Sequence, residues 1–254
     1  MEPVLRVRNI TAVFGRPGQA ERRAVDNVSF DLFPGECLGI IGESGSGKTT
    51  LVNVIMRLAE PSGGCIFLNG TEITKLRGRK LKSIYRDMQM VFQHPAESFD
   101  PRRTLGDGIG ESLLNAGMSR AAVKAEVGRL AAECGLSPDL AGRYPHEVSG
   151  GECQRAAIAR ALAIKPKVLI CDEATSALDV TVQQEIMELL KRLRALRGGD
   201  LSILFISHDL ALVQEFCDRI LVMEEGRIAE EGTPDEIINN PQADCTRKLI
   251  ESIL

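Results

Sequence analysis

The chain has 254 residues, 44% apolar and 26% charged, with a formal net charge of −4. That length accommodates one α/β domain with an inserted lobe and a sizeable core. The mild acidity argues against a chain whose main task is clamping nucleic acid, and no apolar run approaches the roughly 20 residues of a membrane span.

In chain order, Met1-Glu2-Pro3-Val4-Leu5-Arg6 lacks a charged-then-apolar export signal, which leads to the expectation of a cytosolic chain. Residues 4–33 alternate well enough for two or three antiparallel strands, interrupted by a loop at Arg16-Pro17-Gly18-Gln19. Phe14 ends the first of them. Taken alone it suits a core position better than a flat platform for a base, because burial is the default use of phenylalanine. The apolar run Leu38-Gly39-Ile40-Ile41 then feeds Gly42-Glu43-Ser44-Gly45-Ser46-Gly47-Lys48-Thr49, followed by the helix-competent Leu51-Val52-Asn53-Val54-Ile55-Met56. This is a phosphate-binding loop. Its glycines let successive backbone N–H groups turn toward anionic oxygens without a Cβ in the way, and the helix opening at Lys48 adds its positive dipole end. Lys48 reaches β- and γ-phosphates as a point charge, and the Thr49 hydroxyl is a short ligand suited to a Mg²⁺ that keeps most of its waters.

Pro61-Ser62-Gly63-Gly64 breaks the chain, and a hairpin with an Asn69-Gly70 turn is predicted to start at Cys65. The basic stretch 75–86 reads as a solvated helical face, and Met88-Gln89-Met90-Val91-Phe92 as a strand stopped at Gln93-His94-Pro95. From residue 96 to about 148 helical segments replace strands. Ser119 looks like an N-cap, with Val123, Val127, Leu130 and Cys134 on one helical face. Ser149-Gly150-Gly151 leads a further helix, which by itself is no more than a capped start. Strands return with Val168-Leu169-Ile170-Cys171, an unbroken apolar run ending at Asp172-Glu173, and with Ser202-Ile203-Leu204-Phe205-Ile206, ending at Ser207-His208. A last strand, Ile220-Leu221-Val222-Met223, turns at Glu225-Gly226, and short helices from Pro234 and Ala243 close the chain. The seven dispersed cysteines form no C-x-x-C pair and read as reduced thiols, and with three histidines a structural zinc site is not expected.

Carboxylates at the carboxyl end of a central strand sit where open α/β sheets bind ligands. Asp172 is the candidate acid on the Mg²⁺ side of the phosphate loop. Glu173, one residue further on, is the candidate to orient or deprotonate an attacking water, and His208 to hydrogen-bond the γ-phosphate.

With these residues in order, the chain resembles the nucleotide-binding subunit of an ATP-binding-cassette transporter over essentially its whole length. Residues 42–49 resemble the Walker A loop, with Thr50 beside it. Gln93 resembles the Q-loop glutamine, Ser149-Gly150-Gly151-Glu152 the signature, residues 168–173 Walker B, Ser176-Ala177-Leu178-Asp179 the D-loop and His208 the switch histidine. The resemblance implies a phosphate-loop NTPase fold of class α/β with a mostly parallel sheet, an antiparallel β subdomain and an inserted helical subdomain. In one domain spanning 1–254, it implies a core of residues 1–92 and 159–233, a helical subdomain of 93–158 and a helical tail of 234–254. The implied cofactors are ATP and Mg²⁺. Phe14 takes the place of the adenine-stacking aromatic. Gly42, Ser44, Gly45, Gly47, Lys48, Thr49 and Thr50 cradle the phosphates, Thr49, Gln93 and Asp172 serve the metal, and Glu173, His208 and Gln93 the reaction. Ser149, Gly150, Gly151, Glu152 and Asp179 contact the nucleotide of a second subunit packed head to tail.

A narrower resemblance lies in residues 90–95, 100–106 and the tail at 231–234 and 240–249. These are similar to the peptide/nickel branch of bacterial importers, which carry dipeptides, oligopeptides, nickel and metal chelates. Glu152 in place of glutamine, Ala174 in place of proline and Cys245 in place of tyrosine depart from that branch. The implied partners are a second ATPase subunit, with a heterodimer leading and a homodimer as the alternative, two transmembrane permease subunits, and indirectly an extracytoplasmic binding protein. The implied location is the cytoplasmic face of the membrane. A competing reading is a soluble cassette ATPase of a non-transport complex such as phosphonate degradation; the segment 93–106 favours the importer.

Overall fold

A computed structural model describes residues 1–14, 22–176 and 178–251. The expected loop at Arg16-Pro17-Gly18-Gln19, and Ala177 of the expected D-loop, lie outside the described residues.

In chain order the strands are β1 Leu5–Phe14, β2 Arg22–Leu32, β3 Cys37–Ile41, β4 Gly63–Leu68, β5 Thr71–Glu72, β6 Met88–Val91, β7 Val168–Asp172, β8 Ser202–Ile206, β9 Arg219–Glu224 and β10 Arg227–Gly232. The α-helices are α1 Lys48–Ile55, α2 Gly78–Ile84, α3 Leu105–Asn115, α4 Arg120–Glu133, α5 Gly150–Leu162, α6 Val180–Leu196, α7 Leu210–Phe216, α8 Pro234–Asn239 and α9 Asp244–Glu251.

Two sheets result. An antiparallel sheet runs in the order β2-β1-β4-β5, and a larger one in the order β10-β9-β3-β8-β7-β6, parallel except where β10 folds back on β9. Every residue of β3, β7 and β8 is buried, as their unbroken apolar runs require of strands covered on both faces. Successive side chains serve two cores. Leu38, Ile40, Val168, Ile170, Leu204 and Ile206 face α1 and the antiparallel sheet, where Leu5, Val7, Val28 and Phe30 meet them. Cys37, Ile41, Leu169, Cys171, Ile203 and Phe205 face α5, α6 and α7 on the other side. The central sheet is therefore clamped, and its carboxyl edge is held still.

The inserted segment is helical, as expected. Val123, Val127, Leu130 and Cys134 are all buried against α3 and α5. Close approach is possible because α3 carries Gly110, where a Cβ would lie 2.6 Å from Val123 Cγ1. Ser119 accepts from the Ala122 N–H and caps α4. Helix α5 is continuous from Gly150 to Leu162 and passes from the lobe toward the strand β7. One expected boundary moves: β4 begins at Gly63, not Cys65, because Gly63 pairs with Thr11 across an irregularity in β1.

Candidate nucleotide site

Four strand ends of the parallel sheet deliver the chemistry to one edge. β3 runs into the phosphate loop, β7 ends at Asp172, β8 is followed by Ser207 and His208, and β6 is followed by Gln93. The β7–β8 ladder continues past the strands: the Glu173 N–H donates to the Ile206 carbonyl at 3.0 Å. That bond holds Glu173 in the left-handed region (φ 47), a sparsely populated conformation for a residue other than glycine. Its carboxylate, turned to the sheet edge, has His208 Nδ1 at 3.8 Å.

The loop itself is tightly determined. Gly42 and Gly47 have φ 152 and 104, and a Cβ on either would come within 2.2 Å or 2.1 Å of the Met223 or Ala24 carbonyl oxygen. Lys48 opens α1 with its side chain folded back over the loop, Nζ donating to the Gly42 carbonyl at 2.7 Å and the Glu43 carbonyl at 2.9 Å. Burial lowers the Lys48 pKa, opposed by the charges of Glu173 and Asp172, so ammonium and carboxylates share one electrostatic site. Ser44, Gly45 and Thr49 are exposed and Thr50 half-buried, leaving the rim of the loop open to an incoming phosphate chain.

Asp172 is buried, and its Oδ1 has no hydrogen-bond partner. Burial, and then the neighbouring Glu173 charge, push its pKa to about 6 against the pull of Lys48. An orphaned, buried carboxylate oxygen suits a hard divalent cation such as Mg²⁺, which takes oxygen ligands. The cost of that orphan is measurable. The native pKa of about 6 exceeds the unfolded value of about 3.9, so the native state retains a proton that the unfolded chain releases. Stability therefore falls as pH rises from about 4 to about 6, and the full cost, on the order of 3 kcal/mol, stands above that window. Asp172→Asn is expected to raise the Tm of nucleotide-free, EDTA-treated protein at pH 8, with the gain fading toward pH 4. A lowered Tm at pH 8 would refute this account.

Gln93 is exposed, and its Nε2 donates to Ser176 Oγ at 3.2 Å, linking the end of β6 to the segment after β7. Phe14 stands 51% exposed at the end of β1. The residues lining the cavity against the phosphate loop do not include it. That cavity, about 470 Å³, is bounded by residues 42–46, Arg23, Ala24, the β9–β10 turn and, from α9, Cys245 and Leu249. The lining from β2 and α9 was not foreseen. For β2 the one signal is Gly226 in the β9–β10 turn, at φ 81, where a Cβ would come 2.9 Å from the Ala24 carbonyl; α9 gives none.

Ser149, Gly150, Gly151 and Glu152 are not brought to this cavity. They form the start of α5, where Ser149 Oγ accepts from the Glu152 N–H while the Ser149 N–H and hydroxyl donate to the Glu152 carboxylate. Those two bonds, the backbone one first, hold Glu152 below the usual carboxylate range. Gly151 faces the start of α6, where a Cβ would lie 2.7 Å from Val182 Cγ1. Asp179 is also committed locally, capping α6 by accepting from the Val182 N–H at 3.1 Å. One chain thus presents a phosphate loop in one place and a second, exposed helix start in another.

Residues 25–176 match the ABC transporter family. The chain belongs to that family. It is 48% identical over 260 residues to the glutathione import ATP-binding protein GsiA of Shigella dysenteriae serotype 1 (strain Sd197), covering 99% of this chain and 41% of that protein. With GsiA of Escherichia coli (strain K12) the identity is 47% over 259 residues, with the same coverage. The chain therefore spans about two-fifths of the length of the curated relatives it matches. Among solved structures, a dimeric post-hydrolysis state of the ATP-binding cassette MJ0796 bound to ADP and Pi superposes with a TM-score of 0.82 at 29% identity, covering 91% of this chain and 98% of that one. cbiO1 from Clostridium perfringens, part of the ABC transporter complex cbiONQ, gives 0.82 at 26% identity, covering 94% and 92%. As an ABC cassette the chain is an ATP-binding, ATP-hydrolysing domain with the phosphate-loop NTPase fold.

Proposed function

We propose that this cassette powers an importer of short peptides of the glutathione type. The observation that carries the reading is the match to the glutathione import ATP-binding protein along 99% of this chain. Dipeptides, oligopeptides, nickel and metal chelates are the neighbouring cargoes. The chain works as one of a pair of ATPase subunits, a heterodimer or a homodimer, against two permease subunits at the cytoplasmic face of the membrane, with an extracytoplasmic binding protein delivering the cargo. Among the described residues no helix is long and apolar enough to cross a membrane, so in this reading the permeases supply the spans.

In the site, the N–H groups of the loop and Lys48 hold the phosphates, with Thr50 beside them and Phe14 against the adenine. Thr49, Gln93 and Asp172 hold Mg²⁺, which when bound neutralises phosphate charge. Glu173 orients a water for attack on the γ-phosphate, and His208, 3.8 Å from it, fixes that geometry. Ser149 and the N–H groups of Gly150 and Gly151, with Glu152 and Asp179 alongside, serve the nucleotide on the loop of the partner subunit. ATP then closes the pair, and hydrolysis releases it.

Two measurements test this. With the permeases and binding protein in proteoliposomes, ATP turnover is expected to rise when the binding protein carries glutathione. Stimulation by Ni²⁺ or dipeptides alone would reassign the cargo. Ser149→Arg, which places a long cation at the exposed helix start, is expected to reduce hydrolysis by about 100-fold or more while each subunit still binds nucleotide. Undiminished turnover in a dimer carrying it on both chains would remove the composite site.

A further inference from the structure

The far end of α1 carries a cation that the nucleotide site does not use. The helix is capped at Met56, and Arg57 follows in the left-handed region, at φ 57. The Leu58 N–H donates to the Asn53 carbonyl at 2.9 Å, closing the kind of turn with which helices commonly end on glycine. An arginine there is less favourable than the glycine that such turns usually carry. Its guanidinium is also withdrawn from water. Arg57 is 9% exposed, Nε is buried with no partner, and Nη1 reaches only the Ala59 carbonyl at 3.5 Å. The nearby acid, Glu60, is engaged with Arg77 at 2.9 Å. A buried cation without a counter-ion is among the costliest arrangements in a fold, and here it coincides with an unfavourable backbone conformation.

This guanidinium lines a cavity of about 390 Å³ between the end of α1 and the antiparallel sheet, together with Ser62, Gly64, Thr74, Lys75 and the Glu60–Arg77 pair. Three cations, Arg57, Lys75 and Arg77, face one carboxylate. Ser62 Oγ accepts from the Val13 N–H at 3.0 Å and has its own hydrogen to donate. A guanidinium fork, an ammonium and a hydroxyl around one cavity match a tetrahedral oxyanion. We propose that this cavity binds a free tetrahedral oxyanion, inorganic phosphate being the probe, with Arg57 as its principal ligand and Lys75 as the second charge. The site is separate from the nucleotide loop: Lys48 opens α1 and Arg57 lies just past its cap at Met56, nine residues on, which is about 13 Å along the helix axis.

The test is calorimetric titration of inorganic phosphate into protein whose phosphate loop is saturated with a non-hydrolysable ATP analogue. One saturable phosphate site is expected. Arg57→Gly suits the left-handed backbone and so keeps the fold; it is expected to weaken phosphate binding by about 10-fold or more and leave nucleotide affinity unchanged. Lys75→Gln is expected to weaken it several-fold. No saturable phosphate binding in the nucleotide-filled protein overturns the proposal, as does equal affinity in Arg57→Gly. If Arg57→Gly does not fold, Lys75→Gln decides, and an unchanged affinity there overturns it. Phosphate binding that Lys48→Ala abolishes assigns the ion to the nucleotide loop and also overturns it.

Discussion

Glu173→Gln is expected to slow ATP turnover by about 100- to 10,000-fold while nucleotide affinity changes by no more than a few-fold. The substitution keeps the size and hydrogen-bonding reach of the side chain and removes only its charge and basicity. In the proposed site the phosphates are held by Lys48 and the loop, and the Lys48 ammonium bonds the Gly42 and Glu43 carbonyls, so binding and turnover should separate. Loss of the charge next to Asp172 also eases that residue's elevated pKa, since the Glu173 carboxylate is the second cause of the elevation. Single-turnover hydrolysis and size-exclusion chromatography with ATP are the measurements, and the variant is expected to accumulate an ATP-bound dimer. Steady-state hydrolysis at the wild-type rate would take Glu173 out of the reaction.

The largest structural effect is expected from Gly47→Ala. The added Cβ would meet the Ala24 carbonyl oxygen at 2.1 Å, a rigid strand atom that has no rotamer to retreat into, at a backbone φ of 104. The cost should be about 3 kcal/mol or more, and for a chain of this size the Tm should fall by about 6–12 °C. Gly70→Ala is the control. Its φ of 74 is also left-handed, but no atom lies within 4 Å of the new Cβ, so it should cost only about 1 kcal/mol. Thermal unfolding read by circular dichroism compares the two. Equal melting of Gly47→Ala and Gly70→Ala would mean that the loop is not wedged against β2.

What could be read from the residues in advance follows how local its cause is. The parallel strands were legible because a strand buried on both faces must carry an unbroken apolar run, and β3, β7 and β8 each do, with the polar exceptions, Asp172 and Ser202, confined to a strand end. The helix starts at Ser119 and Ser149 were legible because capping is settled within four residues. The loop with Lys48, and the carboxylates that end β7, were legible for the same reason. Contacts between distant segments were not. Cys245 and Leu249 come to the phosphate loop only because α9 packs back over the β9–β10 turn, and nothing in their own neighbourhood announces it. The start of β4 was missed by two residues because Gly63 pairs with Thr11, some fifty positions earlier in the chain. Arg57 was passed over because a basic residue after a helix ordinarily faces water, and its burial is a tertiary fact.

The folded-back Lys48 bears on how quickly the cassette can engage its fuel. Its ammonium bridges the Gly42 and Glu43 carbonyls, which braces the curvature of the loop from within. An arriving triphosphate has no floppy segment to arrange. It exchanges one set of acceptors for another around a charge that is already largely stripped of water, so little ordering entropy remains to be lost on binding. In the proposed cycle, capture of nucleotide by one chain should therefore be the quick step and its pairing with a second chain the slow one.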